Sequence, residues 1–74
     1  MSYNGWTNHA TWQAVAYIDN TEPAYLSALR QAKEAKHHPD AKARLASTLR
    51  SNFGTGIYSG PVNWDEIADH FLNP

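Results

Sequence analysis

The chain has 74 residues, a formal net charge of −1 and no cysteine, and 42% of its residues are hydrophobic. This length corresponds to one domain, residues 1–74, and the content of apolar and aromatic residues is too high for a disordered chain. The lack of cysteine excludes disulfides, thiolate metal sites and thiol catalysis. Its apolar runs are far shorter than the about 20 residues that span a bilayer, and Met1 to Trp6 lacks the features of a signal peptide. We therefore expect a cytoplasmic protein without a membrane partner.

The charges are unevenly distributed along the chain. Residues 1–29 carry only Asp19 and Glu22, a net charge of −2. Residues 30–50 carry six basic and two acidic residues, a net charge of +4, and residues 51–74 carry three acidic residues, a net charge of −3. The chain is too weakly acidic to imitate DNA over its whole surface, and too weakly basic for a strong nonspecific nucleic-acid binder.

The first predicted helix runs from about His9 to Asn20. Residues 1–8 before it are expected to form an irregular arm, because they contain a strong turn dipeptide, and Thr7 or Asn8 can cap the helix. The helix is apolar over more than half its circumference, which predicts a central position in the fold. Its main apolar positions are Trp12, Ala14, Val15 and Ile18.

Two further helices are predicted in the middle of the chain. One runs from about Glu22 to His37, with Thr21 as its N-cap, and Pro39 prevents its continuation. The other runs from about Asp40 to Asn52. The apolar spacing predicts these core positions in the two helices: Leu26, Leu29, Leu45 and Leu49.

The last predicted helix runs from about Trp64 to Leu72 and has the cleanest amphipathic pattern in the chain. Asn63 is its N-cap, and Glu66 stands in the capping-box position. Residues 54–62 before it contain three glycines and one proline, which predicts a loop. The sequence therefore predicts an all-α protein, a small three- to four-helix bundle with an irregular N-terminal arm and a Gly-rich loop before the last helix. Its expected core consists of Trp12, Val15, Ile18, Leu26, Leu29, Leu45, Leu49, Ile67 and Phe71.

Two tryptophans near the N-terminus have two interpretations. In the structural one, Trp6 covers one end of the core and Trp12 fills its middle. In the functional one, they form an exposed aromatic platform, because aromatic rings offer a large contact area at a low entropic cost.

Acidic residues are the candidates for binding a partner. Asp65, Glu66 and Asp69 lie on the predicted outer face of the last helix, and Asp19 and Glu22 form a second group. The helix dipole alone also favours carboxylates in a first turn, so a structural role is an alternative. As a binding surface, the acidic patch would fit the Lys and Arg residues that line the channel of a nucleic-acid-processing complex.

Basic residues offer an alternative, nucleic-acid-binding surface. They would contact phosphates together only if the second and third helices present them on one side; otherwise they are solvated helix faces. The residues are Arg30, Lys33, Lys42, Arg44 and Arg50, with Lys36 nearby.

The sequence favours neither catalysis nor a bound metal or other cofactor. His37 and His38 point about 100° apart on a helix, so they are poorly placed to share one ion. Glu66 and His70 are four residues apart and could form an acid–base or metal-binding pair, but the carboxylates near them also suit the helix dipole. No serine has a histidine at a triad-like motif spacing, and Gly54-Thr55-Gly56 lacks the ending of a phosphate-binding loop. A metal-dependent enzyme is the last of the alternatives.

The motif Tyr3-Asn4-Gly5-Trp6-Thr7-Asn8, followed by Thr11-Trp12, resembles a family of small domains found in bacteriophages, plasmids and other mobile elements. The resemblance covers about the first twenty residues. The segment Val62-Asn63-Trp64-Asp65-Glu66-Ile67-Ala68 is similar, less specifically, to the end of such domains. The family implies no reaction and no site residue. It implies a mobile-element setting, in which very small proteins often inhibit host defence, and small anti-CRISPR proteins are similar in size.

These observations lead to one expected function and one alternative. The expected function is a phage or mobile-element protein that inhibits a host defence complex, such as a CRISPR effector, by stoichiometric protein binding in the host cytoplasm. A bundle of this size can supply the about 800 Å² per partner of a standard interface. We expect no enzymatic activity, and a monomer or weak dimer. The alternative is a small nucleic-acid-binding regulator that uses the basic surface.

Overall fold

The computed structural model describes residues 5–56 and 58–73. It contains helices α1 (His9–Asn20), α2 (Glu22–Ala35), α3 (Ala41–Phe53) and α4 (Trp64–Leu72), which confirms the predicted all-α class. The bounds of α1 and α4 are as predicted, whereas α3 lies one residue further along the chain. The described residues contain no helix with the length and apolarity needed to cross a membrane. Tyr3 and Asn4 of the N-terminal motif, and position 57 of the predicted loop, lie outside the described residues.

Helix α2 ends two residues earlier than predicted. The backbone N–H of His37 donates to Glu34 O at 3.2 Å and that of His38 donates to Ala35 O at 2.9 Å, which tightens the chain into turns after Ala35. Pro39 disfavours helical geometry at His38, the residue before it, and so prevents the helix from resuming after these turns.

Two asparagines cap helices: Asn8, one of the two predicted alternatives, caps α1, and Asn63 caps α4 as predicted. Asn8 Oδ1 accepts the backbone N–H of Thr11 at 2.8 Å, and Asn63 Oδ1 accepts that of Glu66 at 3.1 Å. Thr21 precedes α2, but its side chain makes no capping hydrogen bond. The predicted capping box at α4 is wrong in its second half, because the Glu66 carboxylate accepts the backbone N–H of Thr7 and not that of Asn63.

The core lies between the four helices, with α4 packed mainly on α3. Val15, Ile18, Leu45, Leu49, Ile67 and Phe71, all predicted core residues, are buried. Residues of the loop and of the segments before α1 and α4 close the core from the sides, among them Trp6, Tyr58 and Val62.

Three predicted core residues are placed differently. Trp12 is half-buried at the edge of α1, because the buried stripe of this helix runs through Thr11, Ala14, Val15 and Ile18 instead. Leu26 is 54% exposed, so its prediction as a core residue is wrong. Leu29 is half-buried and packs against the outside of the core.

Helix α2 faces the core with alanines. The buried residues of this helix are Ala24, Ala28, Ala32 and Ala35. These small side chains allow the backbone of α2 to approach its neighbours closely, and the leucines are turned toward the margin of the helix.

Candidate binding surfaces

The segment before α1 is fastened to the beginning of α4. The backbone N–H of Thr7 donates to Glu66 Oε1 at 3.0 Å, and Asn8 Nδ2 donates to Pro61 O at 3.0 Å. The backbone N–H of Asn63 donates to the hydroxyl of Thr11 at 2.9 Å. We call these three hydrogen bonds the clasp.

Aromatic contacts support the clasp. Trp6 packs edge-on against His70 of α4, with 5.2 Å between the ring centres, and His70 in turn contacts Phe71. Gly5 begins this segment with φ = +88°, a conformation that a residue with a side chain rarely adopts. Trp6 therefore covers one end of the core, as the structural interpretation predicted. The two segments that carry the sequence resemblance contact each other in the fold.

The acidic candidate residues have different surroundings. Asp69 is exposed and accepts a hydrogen bond from Asn73 Nδ2 at 3.0 Å. Glu66 is half-buried in the clasp. Asp65 is exposed beside two basic residues, since Arg50 and Lys42 line the shallow grooves that it also lines. Asp19 and Glu22 are exposed on either side of the α1–α2 turn.

The basic candidate residues are spread over several surfaces. Arg30 and Lys33 line a groove on α2, whereas Lys42 and Arg50 line the grooves beside Asp65. Arg44 forms an ion pair with Asp40 at 2.8 Å, and this hydrogen bond lowers the pKa of the Asp40 carboxyl. Both side chains of the pair are 55% exposed, so solvent screening leaves it a small effect on stability. None of these grooves collects all five basic side chains.

A surface that the sequence analysis did not identify lies between α1, the end of α3 and the Gly-rich loop. It is an open groove of about 630 Å³, and we call it the aromatic groove. Its ten lining residues include no charged residue. The aromatic side chains that line it are Trp12, Tyr17, Phe53 and Tyr58.

Hydrogen bonds fix the walls of the aromatic groove. The Tyr58 hydroxyl donates to Phe53 O at 2.7 Å, and the backbone N–H of Ser59 donates to Gln13 Oε1 at 2.9 Å. Tyr17 meets Phe53 edge-on with 6.3 Å between ring centres, although Tyr17 is 54% exposed. Burial raises the pKa of the Tyr58 hydroxyl, and the nearby Tyr17 adds to the shift. The groove therefore has a defined shape and can accept an uncharged or apolar group.

One signal in the sequence could have indicated this groove. Helix α1 has more apolar surface than one stripe of a small bundle can bury, so part of it had to remain near solvent. Trp12 and Ala16, spaced by four residues, lie on that remaining part with Tyr17 beside them. The position of the Gly-rich loop, which supplies Tyr58, could not be read from the sequence.

The histidines and carboxylates do not assemble a metal site in the described part of the chain. No group of three or more residues that could ligate an ion occurs there. His9 stacks on Trp12 with 5.6 Å between ring centres, and His70 contacts Trp6, so these two histidines belong to different surfaces.

Comparisons with protein-family models, curated proteins and solved structures give no match for this chain.

Proposed function

We propose that this protein is a non-enzymatic binding module that inhibits a host defence complex by stoichiometric binding. A phage or other mobile element would supply it, and it would act in the cytoplasm of the host cell. The acidic residues of α4, with Asp19 and Glu22, would contact basic residues of the target. This setting is taken from the sequence resemblance of residues 3–12 and 62–68.

The observation that supports a binding role is the fixed position of α4. The clasp holds the beginning of this helix, and Asn63 caps it, while Asp65 and Asp69 remain exposed. An interface that is already ordered loses little conformational entropy on association. Charged residues on such a surface steer association and set specificity more than they add affinity.

The surroundings of Asp65 refine this proposal. Arg50 and Lys42 line grooves together with Asp65, whereas the hydrogen-bond partner of Asp69 is the uncharged Asn73. Asp69 is therefore the carboxylate of α4 on which a basic partner would depend most. Glu66 supports the surface from within the clasp.

The test combines partner identification with charge reversal. Tagged protein is used to capture its partner from lysates of bacteria with defined defence systems, and the captured complex is then assayed for target cleavage. We expect Asp69→Lys with Asp19→Lys to abolish inhibition without changing the melting temperature. Glu66 is left unchanged, because its substitution would also break the clasp. Lys33→Glu with Arg30→Glu is the matched control of opposite charge and should preserve inhibition.

Two results would contradict the electrostatic proposal. If both charge-reversal pairs inhibit normally while Tyr17→Ala does not, the contact is made through the aromatic groove. If no defence complex is captured or inhibited in any strain tested, the inhibitory function itself is wrong.

A further inference from the structure

Helix α2 carries a second groove, in which apolar and basic side chains are combined. It has a volume of about 430 Å³ and lies between α2 and the end of α4. We call it the basic-rimmed groove. Its lining residues are Leu26, Leu29, Arg30, Ala32, Lys33, Lys36 and Phe71.

Leu26, in the apolar part of this groove, is exposed to solvent and is not required to complete the core. Leu26 is 54% exposed, although the alanines of α2 already complete the core beneath it. Phe71 is 4% exposed and Leu29 is half-buried, so these two residues form a firm floor beside Leu26. An exposed leucine next to a fixed apolar floor is the arrangement in which a partner's apolar side chain gains the most from burial.

The rim of the groove is uniformly positive. Arg30 and Lys33 of α2 and Lys36, which directly follows this helix, are spaced by three residues, and all three are exposed. None of the lining residues is acidic, and the ion pair found between described residues, Asp40–Arg44, lies elsewhere. The rim charges are therefore available to carboxylates from outside.

We propose that the basic-rimmed groove binds an acidic amphipathic helix of a partner protein. Apolar side chains of that helix would cover Leu26 and Leu29, and flanking Asp and Glu residues would pair with the rim. This is the helix-in-groove mode of peptide recognition, with anchors spaced by three, four and seven residues. None of the acidic residues proposed above to contact a defence complex lines this groove, so its binding does not depend on that function.

The apolar floor favours a protein helix over two other occupants. A phosphate backbone would use the rim cations but would gain nothing from Leu26. A second copy of this chain offers the acidic residues of its own α4, but Ile67 and Phe71 of that helix are buried in its own core. Neither occupant would use the apolar and the basic parts together.

The probe is a fluorescein-labelled synthetic helix of about 18 residues, with leucines at positions i, i+4 and i+7 and glutamates beside them. Its binding is measured by fluorescence anisotropy, alongside a peptide in which every glutamate is replaced by glutamine. The groove is lined by seven residues, far fewer than the about 20–30 residues a side of a standard interface, so we expect a dissociation constant in the micromolar range. The glutamine peptide should bind several-fold more weakly, and added salt should reduce this difference.

Variants separate the two parts of the groove. Leu26→Ser and Lys33→Glu should each weaken peptide binding roughly tenfold or more, with melting temperatures near that of the original chain, because both side chains are exposed. Tyr17→Ala is the matched control for Leu26, since Tyr17 is also 54% exposed but lines the aromatic groove. Lys42→Glu is the control for charge. Both controls should bind the peptide normally.

Three outcomes would overturn the proposal. The first is the absence of peptide binding at millimolar concentration, or binding that Leu26→Ser and Lys33→Glu leave unchanged. The second is tighter binding of a DNA duplex that depends on Lys33 but not on Leu26, which would assign the rim to nucleic acid. The third is a dimer in sedimentation experiments that Leu26→Ser dissociates, which would assign the groove to a second copy of the chain.

Discussion

The side chain of Thr11 joins α1 to the segment before it and to the segment before α4. Its hydroxyl donates to Asn8 Oδ1 at 2.7 Å and accepts the backbone N–H of Asn63 at 2.9 Å. The residue is fully buried, with 0% of its surface exposed. A buried hydroxyl is tolerated only when it is hydrogen-bonded, and here both its donor and its acceptor functions are used.

We predict that Thr11→Val destabilises the protein by about 1–3 kcal/mol, because it keeps the shape but leaves the Asn63 N–H without its partner. Thr48→Val is the matched control, since the exposed Thr48 hydroxyl donates to Arg44 O on the surface of α3. Its cost should stay within about 0.5 kcal/mol. Urea unfolding of the three proteins provides the measurement. Equal costs for the two substitutions would show that the Thr11 hydroxyl has no special role.

Tyr58 provides a pH-dependent prediction at the same scale. Burial raises the pKa of Tyr58 in the folded protein above the usual value of 10.0. The unfolded chain therefore loses the Tyr58 proton at a lower pH than the folded protein does. This contribution to stability is complete below pH about 10 and is lost as the pH rises through the folded-state pKa. Tyr58→Phe should therefore reduce the fall in melting temperature between pH 9 and pH 11. Tyr25→Phe is the control, because it leaves the Tyr58–Phe53 hydrogen bond intact. Its melting temperature should fall as steeply between pH 9 and pH 11 as that of the original chain.

At the scale of the helices, it was easier to predict where a helix begins and ends than which of its sides faces the core. The asparagine caps and the amphipathic pattern determined α1 and α4 to the residue, because both signals are local. The buried face of α2 could not be derived in this way. The spacing of its leucines predicted that they face the core, but the alanines of α2 are the buried residues. Which of these two sides is buried depends on packing against the other helices, which the local sequence does not specify.

A buried leucine of α3 and an exposed leucine of α2 should lose different amounts of stability on the same chemical change. Leu49 of α3 has 0% of its surface exposed, so Leu49→Ala should cost about 2–5 kcal/mol, which includes the cavity that it leaves. Leu26→Ala should cost less than about 1 kcal/mol, because more than half of Leu26 already contacts water and alanine has the higher helix propensity. Thermal unfolding followed by circular dichroism compares them. Similar losses would place Leu26 in the core, as its spacing in the sequence suggested.

For the whole molecule, the distribution of charge along the sequence did not predict its distribution in space. The acidic Asp65 belongs to the last part of the chain, yet it lies beside Arg50 and Lys42 of the basic middle part. The candidate surfaces that the structure adds, the aromatic groove and the basic-rimmed groove, are formed by residues from separate helices. Their residues could be named from the sequence as apolar or basic, but their proximity depends on how the helices pack.

The clasp joins the N-terminal segment to α4 through partners that are more than 50 residues apart in the chain. Asn8 holds Pro61, and the neighbouring Thr7 is held by Glu66. If Asn8 is replaced, we expect the Thr7 N–H to be held less firmly in place, so the later loss of Glu66 should destabilise the protein less. When one contact positions another in this way, the losses of stability from removing each contact do not add.

A double-mutant cycle measures this coupling. Asn8→Ala alone should cost about 0.5–2 kcal/mol as a lost helix cap, and Glu66→Ala alone about 1–2 kcal/mol as a lost charged acceptor. Together they should cost at least about 0.5 kcal/mol less than the sum of the single losses. Asn8→Ala combined with Thr48→Val is the control pair, and its losses should add to within about 0.3–0.5 kcal/mol, because Thr48 shares no contact with the clasp. Full additivity for Asn8 and Glu66 would mean that residues 7 and 8 are anchored independently, and that the clasp does not couple the two contacts.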